Sequence, residues 1–281
     1  MFQYAIGKAV AHSSGADLIM DDSLLRRELL GVTSRDIEID AYRIWAPIRR
    51  RATSPNLLSD RLMRSQHPAA RRLLRLGGRV LEGPASDGFD SRNLDSKSGC
   101  IMRGYFQSYR YFMKVEEQLL AEFVLKEPSP WFLDQVAVID SPHSVAVHVR
   151  RGDYLAGSGH GRLPDEYYRQ ALDLLRREME VGSIYVFSDE PDAIQAGWLE
   201  RNSQIRVISP PPGVRPAESL MAMTRARALI AANSSFSWWA AWIASKSCGS
   251  RVVIPSPWSI DRTLTNPDMS PPDWLRASHG W

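Results

Sequence analysis

Val145-Ala146-Val147-His148-Val149-Arg150-Arg151-Gly152-Asp153-Tyr154 is an apolar, β-branched run that breaks off into charge. It predicts a buried strand, with Val145, Val147 and Val149 on one face and His148 on the other, and Gly152 relieves the backbone after two adjacent guanidiniums. Ligands of open α/β sheets bind beyond the carboxyl ends of the strands. Two arginines there suit an anion, because a guanidinium stays charged and its planar fork matches phosphate oxygens in pairs. A phosphorylated or diphosphorylated ligand is the first expectation. The alternative is a solvated turn in which Arg150, Arg151 and Asp153 make local ion pairs. Arg151-Gly152-Asp153 also spells a cell-adhesion tripeptide, but that match is common by chance and lies here against a buried strand.

Working outward, residues from Ser144 onward alternate strand and helix. Strands are expected at Val145 to Val149, Ser183 to Phe187, Ile205 to Ile208, Ala228 to Ala232 and Arg251 to Ile254, with helices near Asp165 to Met179, Pro191 to Arg201, Ala217 to Arg227 and Phe236 to Ser245. Such alternation predicts a doubly wound parallel sheet. In that fold the loops after successive strands converge on one crevice. Arg150, Arg151 and Asp153 follow the first strand, Ser188, Asp189 and Glu190 the second, and Asn233, Ser234, Ser235 and Phe236 the fourth. The last loop opens a helix, whose N-terminal amides and serine hydroxyls suit an anion. Asp189 and Asn233-Ser234-Ser235 would also serve as plain helix caps; their coincidence at strand ends is what favours a nucleotide diphosphate. Neither a dinucleotide-binding glycine signature nor a P-loop occurs.

Before this region, Phe2, Ala5, Ile6, Ala9 and Val10 share a helical face, Ala16 to Met20 reads as a short strand, and Val115 to Leu125 has helical spacing. Lys126-Glu127-Pro128-Ser129-Pro130 breaks that pattern and places a domain junction at 127/128, giving domains 1–127 and 128–281. Arg49 to Arg79 holds nine arginines against one acid, Asp60. This asymmetry reads as a solvated helical insertion or as peripheral attachment to an anionic membrane face. Nucleic acid is disfavoured, because the stretch has no interleaved aromatics for stacking. A net charge of +3 permits an anionic partner without specifying one. Two cysteines without metal-ligand spacing favour a reducing compartment, and the absence of a long apolar run or a secretory leader makes the cytoplasm the expected location.

His148-Val149-Arg150-Arg151-Gly152-Asp153-Tyr154, Phe187-Ser188-Asp189-Glu190, Asn233-Ser234-Ser235-Phe236-Ser237-Trp238-Trp239-Ala240-Ala241-Trp242 and Pro257-Trp258 resemble the bacterial α-1,2-fucosyltransferase family, glycosyltransferase family eleven. Gly104-Tyr105-Phe106-Gln107-Ser108 and Met1-Phe2-Gln3-Tyr4-Ala5 match it too. The resemblance implies a GT-B-like α/β architecture of two Rossmann-like domains, the C-terminal one binding GDP-fucose. It also implies inverting transfer of L-fucose to the 2-hydroxyl of a terminal galactose, in a glycan acceptor that is lipid-linked if the enzyme works at a membrane. Carried over by residue, Arg150 binds the diphosphate, Arg151 of the same motif is expected to bind the substrate as well, His148 lies near the guanine, and Ser188 and Asp189 help hold the nucleoside. Asn233, Ser234, Ser235 and Phe236 cradle the phosphates from the helix start. Glu190 stands where the family usually has aspartate, which puts its own contact in question. Trp238, Trp239 and Trp242 are expected to pack in the core. Arg150 is the expected stabiliser of the leaving group and Asp153 the nearest carboxylate to act as base. No metal or other cofactor is expected, since the chain has no Asp-x-Asp motif.

Family members place a strand and a glycine-rich loop before the Met-Phe-Gln-Tyr-Ala motif, so the first domain is expected to lack its first strand. That leaves open a catalytically impaired homologue that binds nucleotide sugar or glycan.

Overall fold

The computed structural model describes residues 1–22, 37–49, 80–83, 88–95, 99–151, 161–191, 194, 204–261 and 266–279. Asp153, the arginine-rich stretch beyond Arg49 and most of the helix expected from Pro191 to Arg201 lie outside them. The chain forms two units, Met1–Glu122 with Asn266–Met269, and Phe123–Thr265 with Ser270–Trp281.

In the first unit the apolar face of Phe2, Ala5, Ile6, Ala9 and Val10 is buried along helix α1, Phe2–Ser14, which ends at Gly15 in the left-handed conformation, φ 64°. Strand β1, Met20–Asp21, pairs in parallel with β2, Ile48–Arg49, and β3, Val80–Glu82, pairs in parallel with β4, Ile101–Arg103. Pairing thus begins at Met20, the last residue of the expected strand. A Cβ on Gly104, at φ +147°, would come within 2.8 Å of the Gly83 backbone, and one on Gly83 would meet the Phe106 ring at 2.5 Å. Glycine at both positions lets the two strand ends close over Phe106, which is buried. Helix α2, Glu116–Glu122, carries the expected 115–125 periodicity only in part. Its last residue is a buried carboxylate that accepts from the Tyr4 hydroxyl and pairs with Lys8 Nζ at 2.5 Å. These bonds tie α1 to α2. Burial, and then the hydrogen bond to Glu122, raise the Tyr4 hydroxyl well above its ordinary pKa.

The second unit opens with helix α3, Pro130–Ile139, which the proline-rich junction conceals in the sequence. Ser129 caps it by accepting the Phe132 N–H at 3.2 Å, and Pro130 occupies the first turn, where an amide hydrogen is not needed. Then come β5, Val145–Val149; α4, Asp165–Glu178; β6, Ile184–Ser188; β7, Ile205–Ile208; α5, Pro216–Met223; β8, Ala228–Ile230; α6, Ser235–Ser247; β9, Arg251–Ser256; and β10, Leu275–Ser278. The six strands form one all-parallel sheet in the order β10-β9-β8-β5-β6-β7. The chain winds outward from β5 through β6 to β7, then returns to lay β8 on the other side of β5. That reversal makes the β5/β8 boundary the topological switch point, where such sheets bind ligands.

The alternation within β5 decides which helix covers which face. Val145, Val147 and Val149 join Tyr167, Tyr168, Ala171, Leu172 and Leu175 of α4 in one core. His148, on the opposite face, meets α6 through Phe236. Trp238, Trp239 and Trp242 are buried along α6 and pack edge-to-face in sequence, with centroids 5.2 and 5.3 Å apart. They belong to the core, as expected. Strand β10 was not expected: Leu275-Arg276-Ala277-Ser278 buries only Ala277 and lies at the sheet edge beside β9, so it has no apolar run to announce it.

Candidate functional site

Register brings the strand ends level. Val149 pairs with Ser188, so the next residues on the two strands, Arg150 and Asp189, are opposed. Arg150 Nε lies 3.3 Å from Asp189 Oδ2, and the Arg151 backbone N–H donates to Asp189 Oδ1 at 2.9 Å. One carboxylate thereby organises the start of the β5 loop. The Ser188 hydroxyl accepts the Glu190 N–H at 3.0 Å, which shapes the turn that presents Asp189.

The two arginines have different surroundings. The Arg151 side chain is 10% exposed and its guanidinium reaches Asp165 Oδ1, in the first turn of α4, at 3.3 Å. The Arg150 side chain is 21% exposed, at the end of β5. Beside them, the Tyr168 hydroxyl is buried; burial raises its pKa and the Arg151 charge opposes the shift.

Across the switch point, the chain leaving β8 runs Ala231-Ala232-Asn233-Ser234 into α6. Ser234 is the N-cap, its hydroxyl accepting the Phe236 N–H at 3.3 Å. The Ser237 hydroxyl donates back to the Ala232 carbonyl at 3.2 Å, and the Tyr167 hydroxyl donates to the Ala231 carbonyl at 2.5 Å. Asn233 is buried, and its amide donates to the Gly161 carbonyl at 2.9 Å, tying this loop to the chain that leads into α4. Ser235 is exposed in the first helical turn. Ser234→Ala is expected to cost about 1 kcal/mol, measured by denaturant unfolding, because the cap is the only side chain satisfying that orphan amide among the described residues.

His148 links the two halves of the site. Its ring centroid is 5.4 Å from that of Phe236, it is 4% exposed, and Nδ1 has no hydrogen-bond partner among the described residues. Burial, then the neighbouring Arg150 charge, push its pKa down to about 4, against the opposing pull of Asp189. At neutral pH the imidazole is uncharged, and a buried nitrogen without a partner is a place where a polar ligand atom is welcome.

The structure thus brings His148, Arg150, Arg151, Ser188, Asp189, Asn233, Ser234, Ser235 and Phe236 to the carboxyl end of one sheet, on both sides of the switch point. Two residues outside the sequence expectation hold them there: Asp165, through Arg151, and Tyr167, through the Ala231 carbonyl. The signal for Asp165 was its place in the first turn after Pro164, which also reads as a response to the helix dipole. Tyr167 carries no comparable signal in the sequence.

The profile of Glycosyl transferase family 11 matches residues 87–277, more than half of the chain. The chain belongs to that family. A relative of this family 11 chain, alpha-1,2-colitosyltransferase of Escherichia coli, is 29% identical over 201 residues, covering 67% of this chain and 68% of that protein. Galactoside 2-alpha-L-fucosyltransferase of Caenorhabditis elegans is 23% identical over 61% of this chain, which spans about half of that protein, 51%. Among solved structures, POFUT1 in complex with GDP matches with a TM-score of 0.34 at 15% identity, over 69% of this chain and 58% of that one. Family 11 membership makes the chain a glycosyltransferase, and the six-stranded parallel sheet of its second unit is the doubly wound α/β sheet expected there.

Proposed function

We propose that the chain transfers L-fucose from GDP-fucose to the 2-hydroxyl of a terminal galactose, with inversion at the sugar. The observation that carries this reading is the placement of Arg150 at the end of β5 and of the capped start of α6 on the two sides of the switch point, with the buried Nδ1 of His148, which has no hydrogen-bond partner among the described residues. A guanidinium and a helix N-terminus are both donors for a diphosphate, and a neutral imidazole suits a base or ribose. The names of the fucosyl- and colitosyltransferase relatives supply the sugar class.

In this reading the bond from fucose C1 to the β-phosphate oxygen breaks as the bond from C1 to the galactose oxygen forms. Negative charge develops on the departing diphosphate, and Arg150 stabilises it. The acceptor hydroxyl gives up its proton, for which Asp153 is proposed as base. The reaction needs no metal, so turnover is expected to persist in chelator and to be unchanged by added magnesium.

The test is incubation with GDP-fucose and a panel of galactosides, following GDP release and the new α-1,2-linked fucoside by proton NMR. A colitosyl donor belongs in the same panel because a relative carries that name. Hydrolysis or binding without a fucoside would instead favour the impaired homologue. Among the described residues no helix is long and apolar enough to cross a membrane. Peripheral attachment through Arg49 to Arg79 predicts salt-sensitive co-sedimentation with anionic liposomes, weakened when several of these arginines become glutamine. Equal sedimentation with neutral liposomes would remove that part of the proposal.

A further inference from the structure

We infer that Asp189 is a positioning residue that aims Arg150 at the donor diphosphate, rather than a contact to the nucleoside. The inference rests on the donor reading above and goes beyond it by dividing labour within the site. Both Asp189 oxygens are engaged from the end of β5: Oδ2 by Arg150 Nε at 3.3 Å and Oδ1 by the Arg151 N–H at 2.9 Å. Contact at Nε fixes the plane of the guanidinium, and contact at the next backbone amide fixes the stem from which it grows. An arginine side chain is long and loses much rotamer freedom when it must meet a ligand in one orientation. Asp189 takes that loss before the ligand arrives. Its own position is set by the level ends of β5 and β6 and by the Ser188 turn.

Arg151 stands in a different relation to the sheet. Its nearly buried guanidinium pairs with Asp165 of α4, and its amide pairs with Asp189. It therefore ties the chain leaving β5 to the start of α4 and the end of β6, so that Arg150 is the arm and Arg151 the strut.

The exposure of the pair separates positioning from stability. The Arg150 and Asp189 side chains are 21% and 26% exposed, and ion pairs with that much solvent contribute little to folding. Asp189→Asn should therefore leave the melting temperature nearly unchanged while weakening the phosphate contact.

The experiment is calorimetric binding of GDP and GMP to the full chain. The ratio of the two affinities reads the terminal phosphate, and contacts to base and ribose cancel. Asp189→Asn is expected to lower the GDP/GMP ratio roughly tenfold, the scale of one charged hydrogen bond, with GMP affinity within about twofold of the unaltered chain, on the same scale. Asp189→Glu should recover part of the loss, since it restores the carboxylate at a displaced position. Arg150→Ala should lower the ratio at least as far, and adding Asp189→Asn to it should lower the ratio no further. Parallel loss of GDP and GMP affinity at constant ratio would overturn the inference in favour of a nucleoside contact. Unchanged affinities for both would reduce the pair to a local surface bridge and overturn it too. Failure of the unaltered chain to bind GDP would instead overturn the donor reading, and this inference with it.

Discussion

Arg150→Lys is expected to lower turnover of GDP-fucose by roughly a hundredfold to a thousandfold, the usual effect of removing one well-aimed donor to a developing anion. Lysine keeps the charge, so a purely electrostatic role would survive the change. What it loses is the planar fork, including the Nε–H that Asp189 engages, and with it the geometry that meets two phosphate oxygens at once. Because the side chain is partly exposed and outside the core clusters, the melting temperature should move by no more than a degree or two, as for other surface substitutions. Steady-state kinetics beside a thermal melt separates the two effects. A lysine variant with near-normal turnover would remove Arg150 from the centre of the mechanism.

The second large effect is on stability, and it comes from His148. In the folded chain its pKa is about 4, whereas an unfolded histidine titrates near the ordinary 6.5. The unfolded chain therefore binds more protons between these values, and stability must rise with pH through that window. Above pH 6.5 the full contribution is present; as pH falls towards 4 it is lost, up to about 3 kcal/mol for a shift of this size. His279, whose pKa is also lowered by burial, acts in the same direction. Unfolding free energies measured from pH 7 to pH 4 for the unaltered chain and for His148→Asn, plotted as a difference, isolate the term from the carboxylates that also titrate in acid. The difference is expected to shrink as pH falls; a difference constant with pH would mean that the imidazole is not held neutral.

Much of the second unit was legible because its strands carry β-branched runs, buried throughout in Val145–Val149 and only partly in Ile205–Ile208. Val145-Ala146-Val147-His148-Val149 and Ile205-Arg206-Val207-Ile208 form the strands read from their β-branched runs, with the same bounds. Where such a run is lacking, the signal fades. Leu275–Ser278 pairs on one side only and buries one alanine, and Ser129-Pro130 reads equally as a linker or as a capped helix start. The Asn266–Met269 return to the first unit carries no apolar pattern; it is held by polar contacts, with Asp268 accepting the Phe89 N–H at 2.8 Å and pairing with Arg110 at 3.2 Å.

The candidate site was legible as a set of loops and not as a set of contacts. Strand order follows from the sheet, and the sheet from the alternation, so convergence of the loops after Val149, Phe187 and Ala232 could be expected from local pattern. That Arg150 and Arg151 would take different carboxylates could not. Asp189 and Asp165 are 39 and 14 residues further along the chain, and only the level register of β5 with β6 and the approach of α4 select them. Both arginines are thus ion-paired, but to Asp189 and Asp165; the local pairing with Asp153 that the charged turn suggested lies outside the described residues.

The most direct measurement of the central claim is a crystal structure of the chain with GDP. The diphosphate is expected at the β5/β8 switch point, with phosphate oxygens in hydrogen-bond reach of the Arg150 guanidinium and of the first-turn amides of α6, and with the nucleoside against His148. GDP bound away from the carboxyl ends of β5 and β8, or bound there with Arg150 directed elsewhere, would contradict the account.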